Sequence, residues 1–258
     1  MTAGDRGGRM RFQVLGTLEV HDHRWRVTPN APKQRSVLAL LLSAAGEVIP
    51  TDVLTEELWE GHPPPSARTT LQTYVYQLRK QFVRAAGPAG LPRLVTKHGG
   101  YLLDIPEGSL DAVEFERQVA SARELLRAGD AERAAETLGG ALALWHGPAL
   151  ADVVTGPRLA IYRTRLEELR VHAIKLKIEA RMRSGQHQEL IGELKELTTV
   201  YELDEWFHLK LMETLSRAGR RHEALEVYQR LRRILHRELG LEPSGEMREL
   251  QRVVLAAG

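Results

Sequence analysis

Thr69, Thr73, Tyr76, Gln77 and Lys80 recur at spacings of three and four, a period that brings them to one side of a helix. Short hydroxyls, a phenol, an amide and a cation are the groups that touch base edges and phosphate oxygens in a nucleic acid groove. Their surroundings suit that chemistry. Residues 61–103 contain no Asp or Glu, yet carry Arg68, Arg79, Lys80, Arg84, Arg93 and Lys97, in a chain that elsewhere mixes its charges densely. An acid-free window of this length is a candidate footprint for a polyanion. A solvated helix surface would show the same residues, so the helix taken alone leaves both readings open.

The neighbouring elements narrow the choice. At about 100° per residue, Leu71, Val75, Leu78 and Phe82 share a narrow arc of the helix over 66–84, which must be its buried ridge. Thr69, Thr73, Tyr76 and Lys80 fall opposite, with Ser66, Gln77 and Arg84 beside them and Arg79 on a flank. Upstream, Pro32 stands in a first helical turn, and Val37, Leu38, Leu41 and Leu42 form a stripe before Gly46. Thr51 is expected to cap a second helix bearing Leu54, Leu58 and Trp59. Gly61-His62-Pro63-Pro64-Pro65 breaks the chain, and Ser66 caps the third helix. A strand at 94–95, a Gly99-Gly100 turn and a strand at 101–103 follow. At the start, residues 10–20 alternate apolar and polar, with Phe12, Val14, Leu18 and Val20 inward, and pair with a short strand at 25–27.

Sheet, helix, short helix, proline turn, helix, hairpin is the order of a winged helix-turn-helix. In that geometry the third helix enters the major groove and the hairpin wing points toward the adjacent minor groove. Lys97 and His98 occupy the wing tip, where a cation meets the minor groove's negative potential. For His98 a turn residue in solvent fits equally well. Pro106 and Gly108 mark a domain boundary, and residues 1–9, small and Gly-rich, read as a disordered tail.

Beyond residue 110 the pattern is helical throughout. Helices pair at 111–128 with 130–145, at 158–183 with 186–200 and at 204–218 with 222–239, broken at Gly129, Gly185 and Gly219. Ala134, Ala135, Ala141, Ala143 and Ala224 stand where paired helices approach closely. This is the texture of tetratricopeptide-like hairpins, irregular in spacing, which bury their cores by stacking. Trp145, Trp206, Phe207 and Tyr228 sit among Leu residues at helical spacing and read as core aromatics rather than a ligand cage.

Charge separates the halves. Of 36 Lys+Arg and 34 Asp+Glu, residues 1–108 hold 13 and 10 (+3), and residues 109–258 hold 23 and 24 (−1). The chain has no cysteine, which excludes disulfides, thiolate metal sites and a cysteine nucleophile. No apolar run approaches the roughly 18 residues of a membrane span, so a cytoplasmic, nucleoid-associated protein without membrane contact is expected.

The segments PKQRSVLALLLSAAGEVIPTDVLTEELWEGHPPPSARTTLQTYVYQLRKQF and LVTKHGGYLL closely resemble the winged-helix domain of Streptomyces antibiotic regulatory proteins, which carry an OmpR-type DNA-binding fold. ALALWHGPALADV, RLEELRVHAIKLKIEARMRSGQH and DEWFHLKLMETLSRAGRRHEALEVYQRLRRILHRELGLEPSGEM resemble the bacterial transcriptional activation domain of the same proteins. The resemblance covers nearly all of residues 10–250 and is similar to the small, pathway-specific members. It implies a mostly α fold with small β: an OmpR-type winged helix over 10–108, then an all-α, TPR-like activation domain over 109–258.

The implied function is a sequence-specific activator of a secondary-metabolite (antibiotic) gene cluster, without a receiver domain. It would bind direct repeats in double-stranded promoter DNA near the −35 element as a head-to-tail homodimer. It would recruit RNA polymerase holoenzyme through its sigma factor. Candidate DNA contacts are Trp59, Arg68, Thr69, Thr70, Thr73, Tyr76, Gln77, Arg79, Lys80, Arg84, Lys97 and His98. Thr69, Thr73, Tyr76 and Gln77 would face bases, Arg79 and Lys80 phosphates, and Trp59 the DNA backbone, unless it is a core Trp. Many OmpR-type proteins carry Arg at the positions of Tyr76 and Gln77; this chain does not, so Gln77 suits adenine and the Thr methyls suit thymine. The loop of Glu60, Gly61, His62, Pro63, Pro64 and Pro65 would touch polymerase, or serve only to set the helix angle.

Enzymatic readings find little support. There is no G-x-x-x-x-G-K-[ST] and no G-x-S-x-G, and the string from His222-Glu223 has Glu226 where a zinc site needs a second His. His21 and His23 form only a weak ligand pair. No catalytic residue, metal or cofactor is assigned. The alternative from another class is a TPR-like protein-interaction adaptor whose winged helix does not bind DNA.

Overall fold

The computed structural model describes residues 10–21, 27–86 and 92–256. The tail at 1–9, His23, and Trp25 and Arg26 of the strand expected at 25–27 lie outside the described residues. Among those described, the order is β1 (Arg11–Gln13), β2 (Glu19–His21), α1 (Pro32–Ser43), β3 (Val48–Pro50), α2 (Thr51–Trp59), α3 (Ala67–Ala86), β4 (Arg93–Lys97), β5 (Gly100–Asp104), α4 (Asp111–Arg127), α5 (Ala131–Leu142), α6 (Pro157–Arg183), α7 (His187–Val200), α8 (Glu205–Arg217), α9 (Arg221–Leu239) and α10 (Gly245–Ala256). Two compact units emerge: Met1–Ala122 with Thr137–Ile174, and Arg123–Glu136 with Lys175–Gly258.

The first unit holds both sheets. β1 and β2 pair antiparallel with Phe12 opposite Val20, and β3, β5 and β4 form a second antiparallel sheet in that order. Phe12, Val14, Leu18 and Val20 all point inward, as the alternation predicts. Two differences stand out. Residues 10–20 are not one strand but two, folded on each other. β3 was not expected: three residues between helices give no periodicity, and their pairing partner lies some fifty residues on, with Ile49 opposite Tyr101. Gly100 sits so close to β3 that an added Cβ would meet the Ile49 carbonyl oxygen at 2.2 Å.

α1 is buried from Ser36 to Leu42 without interruption rather than on one stripe, as expected of a helix enclosed on all sides. Thr51 is not the cap of α2. Pro50 holds that position, and Thr51 begins the helix, sending its hydroxyl and its amide N–H to the Gly99 carbonyl at 3.1 and 2.9 Å.

The early part of α4, the end of α5 and α6 up to Ile174 close the first unit. Three acidic side chains make the joins. Asp111 accepts from the amides of Val14, Leu15 and Ala112, Asp152 accepts from Leu18 N at 2.8 Å and pairs with Arg35, and Glu57 accepts from Arg158 N at 2.8 Å and Leu159 N at 3.1 Å. Burial outweighs the three donated N–H groups at Asp111 and pushes its carboxyl up to about 6. Tyr162 is likewise pushed up by burial, with Glu116 and Asp111 nearby adding to it.

The second unit is built of helical hairpins. At all three expected breaks the glycine is left-handed: Gly129 at φ 84°, Gly185 at 82° and Gly219 at 74°. Each turn closes with the same 6→1 bond, Asp130 N to Leu125 O, Gln186 N to Arg181 O and Arg220 N to Leu215 O, the Schellman geometry that favours glycine. Of the close-approach alanines, Ala134 and Ala224 in this unit and Ala141 in the first are fully buried, Ala135 is half-buried, and Ala143, in the first unit past the end of α5, is exposed. Phe207 and Tyr228 are core residues here and Trp145 is one in the first unit, and Trp206 is half-buried with the ammonium groups of Lys175 and Lys210 at 5.4 and 5.7 Å from its ring.

Candidate nucleic-acid interface

The interface begins with how α3 is seated. Leu71, Val75, Leu78 and Phe82 are at most 2% exposed, and Phe82 meets Phe12 edge-on at 6.4 Å between ring centres. That ridge fixes the rotation of the helix. Arg68, Thr69, Thr73, Tyr76, Gln77, Lys80 and Arg84 are consequently exposed, Tyr76 at 64%, and Thr70 is half-buried at the edge. No acidic residue lies on this face.

Individual groups are already partly committed. The Thr73 hydroxyl donates to the Thr69 carbonyl at 3.0 Å, which leaves its acceptor lone pairs and methyl for an incoming ligand. Gln77 accepts through Oε1 from the side-chain amide of Gln34 on α1. Lys80 and Arg84 border a cleft of about 400 Å³ between α1 and α3, shared with Asn30, Gln34 and Gln81.

Arg79 differs from the freely exposed cation that would favour phosphate. Its Nε donates to Leu94 O and its Nη2 to Thr96 Oγ1, both at 2.7 Å, and its guanidinium lies 6.0 Å from the Tyr101 ring centre. Much of its hydrogen-bonding fork thus ties α3 to β4. Arg93 pairs with Asp104 at 3.1 Å. Of the six cations in the acid-free window, Arg68, Lys80, Arg84 and Lys97 remain exposed without an ion pair among the described residues.

The wing is positioned from two sides. Lys97 pairs with Gly100 at the end of the β4–β5 hairpin, His98 and Gly99 form its turn, and Lys97 and His98 are both exposed. The Thr51 bonds to Gly99 hold this turn against the start of α2. At the other end of α2, Trp59 is half-buried, neither core nor free, with the Lys33 ammonium 4.4 Å above its ring. Glu60 and Gly61 then adopt left-handed φ values of 48° and 81°. Glu60, Gly61, His62, Pro63, Pro64 and Pro65 are all exposed, with the His62 ring nitrogen Nδ1 3.0 Å from the Glu60 carbonyl.

Three contributors escape sequence reasoning. Lys33 and Gln34 flank the face from the first turn of α1, where Pro32 and the lack of an acid were the available signals. Glu57 positions α2 and hence Trp59. The N-terminus of α6 has no acid of its own, Pro157 brings no N–H, and Ala160 N bonds Gly156 O. The two remaining amides are those that Glu57 accepts. Its side chain, at 4% exposure, completes the hydrogen bonding of that turn and meets the positive end of the helix dipole.

Among the described residues there is no group of acids and histidines able to hold a metal, and no helix long and apolar enough to cross a membrane. His21 is engaged by Glu19 at 2.6 Å.

Comparison with known proteins agrees with this architecture. Residues 26–103 match the family model described as "Transcriptional regulatory protein, C terminal", and residues 110–255 match "Bacterial transcriptional activator domain". The chain is 38% identical over 252 residues to Regulatory protein DnrI of Streptomyces peucetius, covering 96% of this chain and 93% of that one. It is 34% identical over 253 residues to Transcriptional regulator RedD of Streptomyces coelicolor, covering 97% and 71%. The solved structure of Mycobacterium tuberculosis EmbR in complex with a low affinity phosphopeptide superposes with a TM-score of 0.89 at 30% identity, over 97% of this chain and 66% of that one. The relatives are named as regulators and not as enzymes. An OmpR-type winged helix followed by a bacterial transcriptional activator domain, in a chain this similar to DnrI over nearly its whole length, places the protein in the Streptomyces antibiotic regulatory protein family, as a transcriptional activator of that type.

Proposed function

We propose that this activator reads promoter DNA by laying α3 in the major groove, with the β4–β5 turn at the adjacent minor groove. Residues 10–108 serve as the DNA-binding domain and 109–258 as the activation domain. Thr69, Thr73, Tyr76 and Gln77 face bases, with Thr70 at the edge of that set. Arg68, Lys80, Arg84 and Lys97 neutralise phosphates, His98 accompanies Lys97 at the wing tip, and Trp59 lies along the backbone. Arg79 contributes chiefly by fixing the wing relative to α3. The loop from Glu60 through Gly61, His62, Pro63, Pro64 and Pro65 meets the sigma factor of RNA polymerase. Two protomers bind direct repeats near the −35 element head to tail and switch on an antibiotic gene cluster, in the cytoplasm at the nucleoid.

One observation supports the reading: the exposed side of α3 is free of acid and sets Lys80 and Arg84 among hydroxyl, phenol and amide groups away from the buried ridge, with Arg68 on its flank and Lys97 at the neighbouring wing tip, all four without an ion pair among the described residues. Footprinting of the purified protein on candidate promoters, with affinity measured against salt, tests it. Four phosphate contacts per protomer predict a log–log slope of about −3.6 per protomer, at roughly −0.9 per phosphate. Lys80→Glu should weaken binding to all sequences alike, and Gln77→Ala should alter base preference. A flat salt dependence, with no protected promoter fragment, would instead indicate a protein-interaction adaptor.

A further inference from the structure

The second unit contains a trough that sets unpaired cations beside apolar side chains. Two adjoining cavities, about 660 and 470 Å³, run between α7, α8 and α9 and share Thr198, Thr199, Arg230 and Arg233. At one end the charges compensate each other. Glu223 binds Arg220 at 2.6 Å and Lys195 at 3.0 Å, which together pull its carboxyl down to about 2, and Glu226 faces His222 at 3.3 Å. Where the two cavities meet they do not. Arg230 and Arg233, one turn apart on α9, are exposed and form no ion pair or hydrogen bond among the described residues. The acid on that rim, Glu202, pairs with neither, and Arg237 is engaged by Glu238.

The walls are not those of a phosphate-backbone groove. Leu211 and Leu215 lie buried behind the wall of the larger cavity, with Leu225 and Val227 half-buried in its lining. His208 is 1% exposed in the same lining, with Nε2 3.1 Å from the Glu202 carbonyl and Nδ1 without a protein partner. Burial, reinforced by the nearby Arg230, holds this imidazole toward its neutral form. The trough therefore offers two unpaired cations beside hydroxyl-bearing Thr198 and Thr199 where the cavities meet, and half-buried Leu225 and Val227 in the larger cavity. A peptide that carries both acidic and aliphatic side chains is complementary to both, whereas a sugar–phosphate chain has nothing to place against Leu225 and Val227.

We propose that this trough is a docking site for an acidic, partly aliphatic peptide segment of a partner protein, whose carboxylates bind Arg230 and Arg233. The assignment is independent of how the winged helix reads DNA, and it can be tested without any promoter. The probe is a fluorescein-labelled twelve-residue peptide repeating Asp-Leu-Glu, titrated with the full chain and followed by fluorescence anisotropy. Saturable binding is expected that weakens with salt and falls about tenfold or more in Arg230→Gln/Arg233→Gln, since charge-assisted bonds are lost. Both positions are exposed, so the fold should persist, as circular dichroism would verify. Thr199→Trp should also block binding by filling the trough while leaving both cations in place. Lack of saturable binding, or binding insensitive to these variants, would overturn the proposal. So would loss of duplex-DNA affinity in the double arginine variant with peptide binding unchanged, because the two residues would then be phosphate contacts.

Discussion

Replacing Glu57 by Ala should unfasten the first turn of α6 from α2. Two amides, Arg158 N and Leu159 N, lose the acceptors that now lie 2.8 and 3.1 Å away. Glu57 is only 4% exposed, so water cannot readily replace it. A lost helix cap costs about 0.5–2 kcal/mol, and a buried unsatisfied donor about 1–3 kcal/mol. These estimates overlap for the same bonds, and their combination suggests about 2–4 kcal/mol. At about 2–4 °C per kcal/mol for a chain of this size, the melting midpoint should drop by roughly 4–16 °C. Glu57→Gln, which retains one acceptor, should lose about half as much. Denaturant melts of the full chain give the stability, and amide exchange at residues 158 and 159 locates the effect. Gly156→Ala should disturb the same turn from the other side, because the new Cβ would come 2.4 Å from the Glu57 carbonyl oxygen and 2.9 Å from its carboxyl carbon. If Glu57→Ala leaves both the melt and the exchange of those two amides unchanged, the side chain does not hold α6 and the positional role given to it is wrong.

Other consequences can be measured separately. Arg79→Ala should raise amide exchange in β4 around residues 94–96 and cost about 1.5–3 kcal/mol, the range for hydrogen bonds to a charged group; unchanged exchange there would refute the tie between α3 and the wing. Asp111 has a folded-state pKa near 6, against 3.8 for its ordinary value, so the native state holds this proton more tightly than the unfolded chain. Stability should therefore decrease as pH rises from about 4 to 6, by up to about 3 kcal/mol, and Asp111→Asn should remove that slope from the pH dependence of denaturant melts. Alanine at Pro63, Pro64 and Pro65 should abolish transcription in vitro while leaving the promoter footprint intact; loss of the footprint would make the loop a spacer.

What could be read from sequence depended on whether the cause was local. The α3 ridge was legible because a helix repeats its buried positions every three or four residues, and Leu71, Val75, Leu78 and Phe82 obey that period. The three left-handed glycines were legible because a Cβ disfavours that backbone conformation. By contrast, β3 owes its existence to β5, and Glu57, Asp111 and Asp152 owe their roles to amides about a hundred residues away or more. Nothing in a stretch such as TEELWEG announces that its second glutamate will serve another helix. Arg79 illustrates the same limit at the candidate interface: its position on the flank of α3 was evident, but not the Leu94 carbonyl that engages it.

The double anchoring of the hairpin, by Arg79 from α3 and by Thr51 at Gly99, makes the helix and the wing tip a gauge of fixed span. For a duplex seated on this face, the protein has little freedom to adjust one contact without the other. The DNA must supply the fit through its own groove width and curvature, so steps that bend cheaply would be favoured even where no side chain reaches a base. Selectivity among promoters would then extend to base pairs lying between the two points of the gauge.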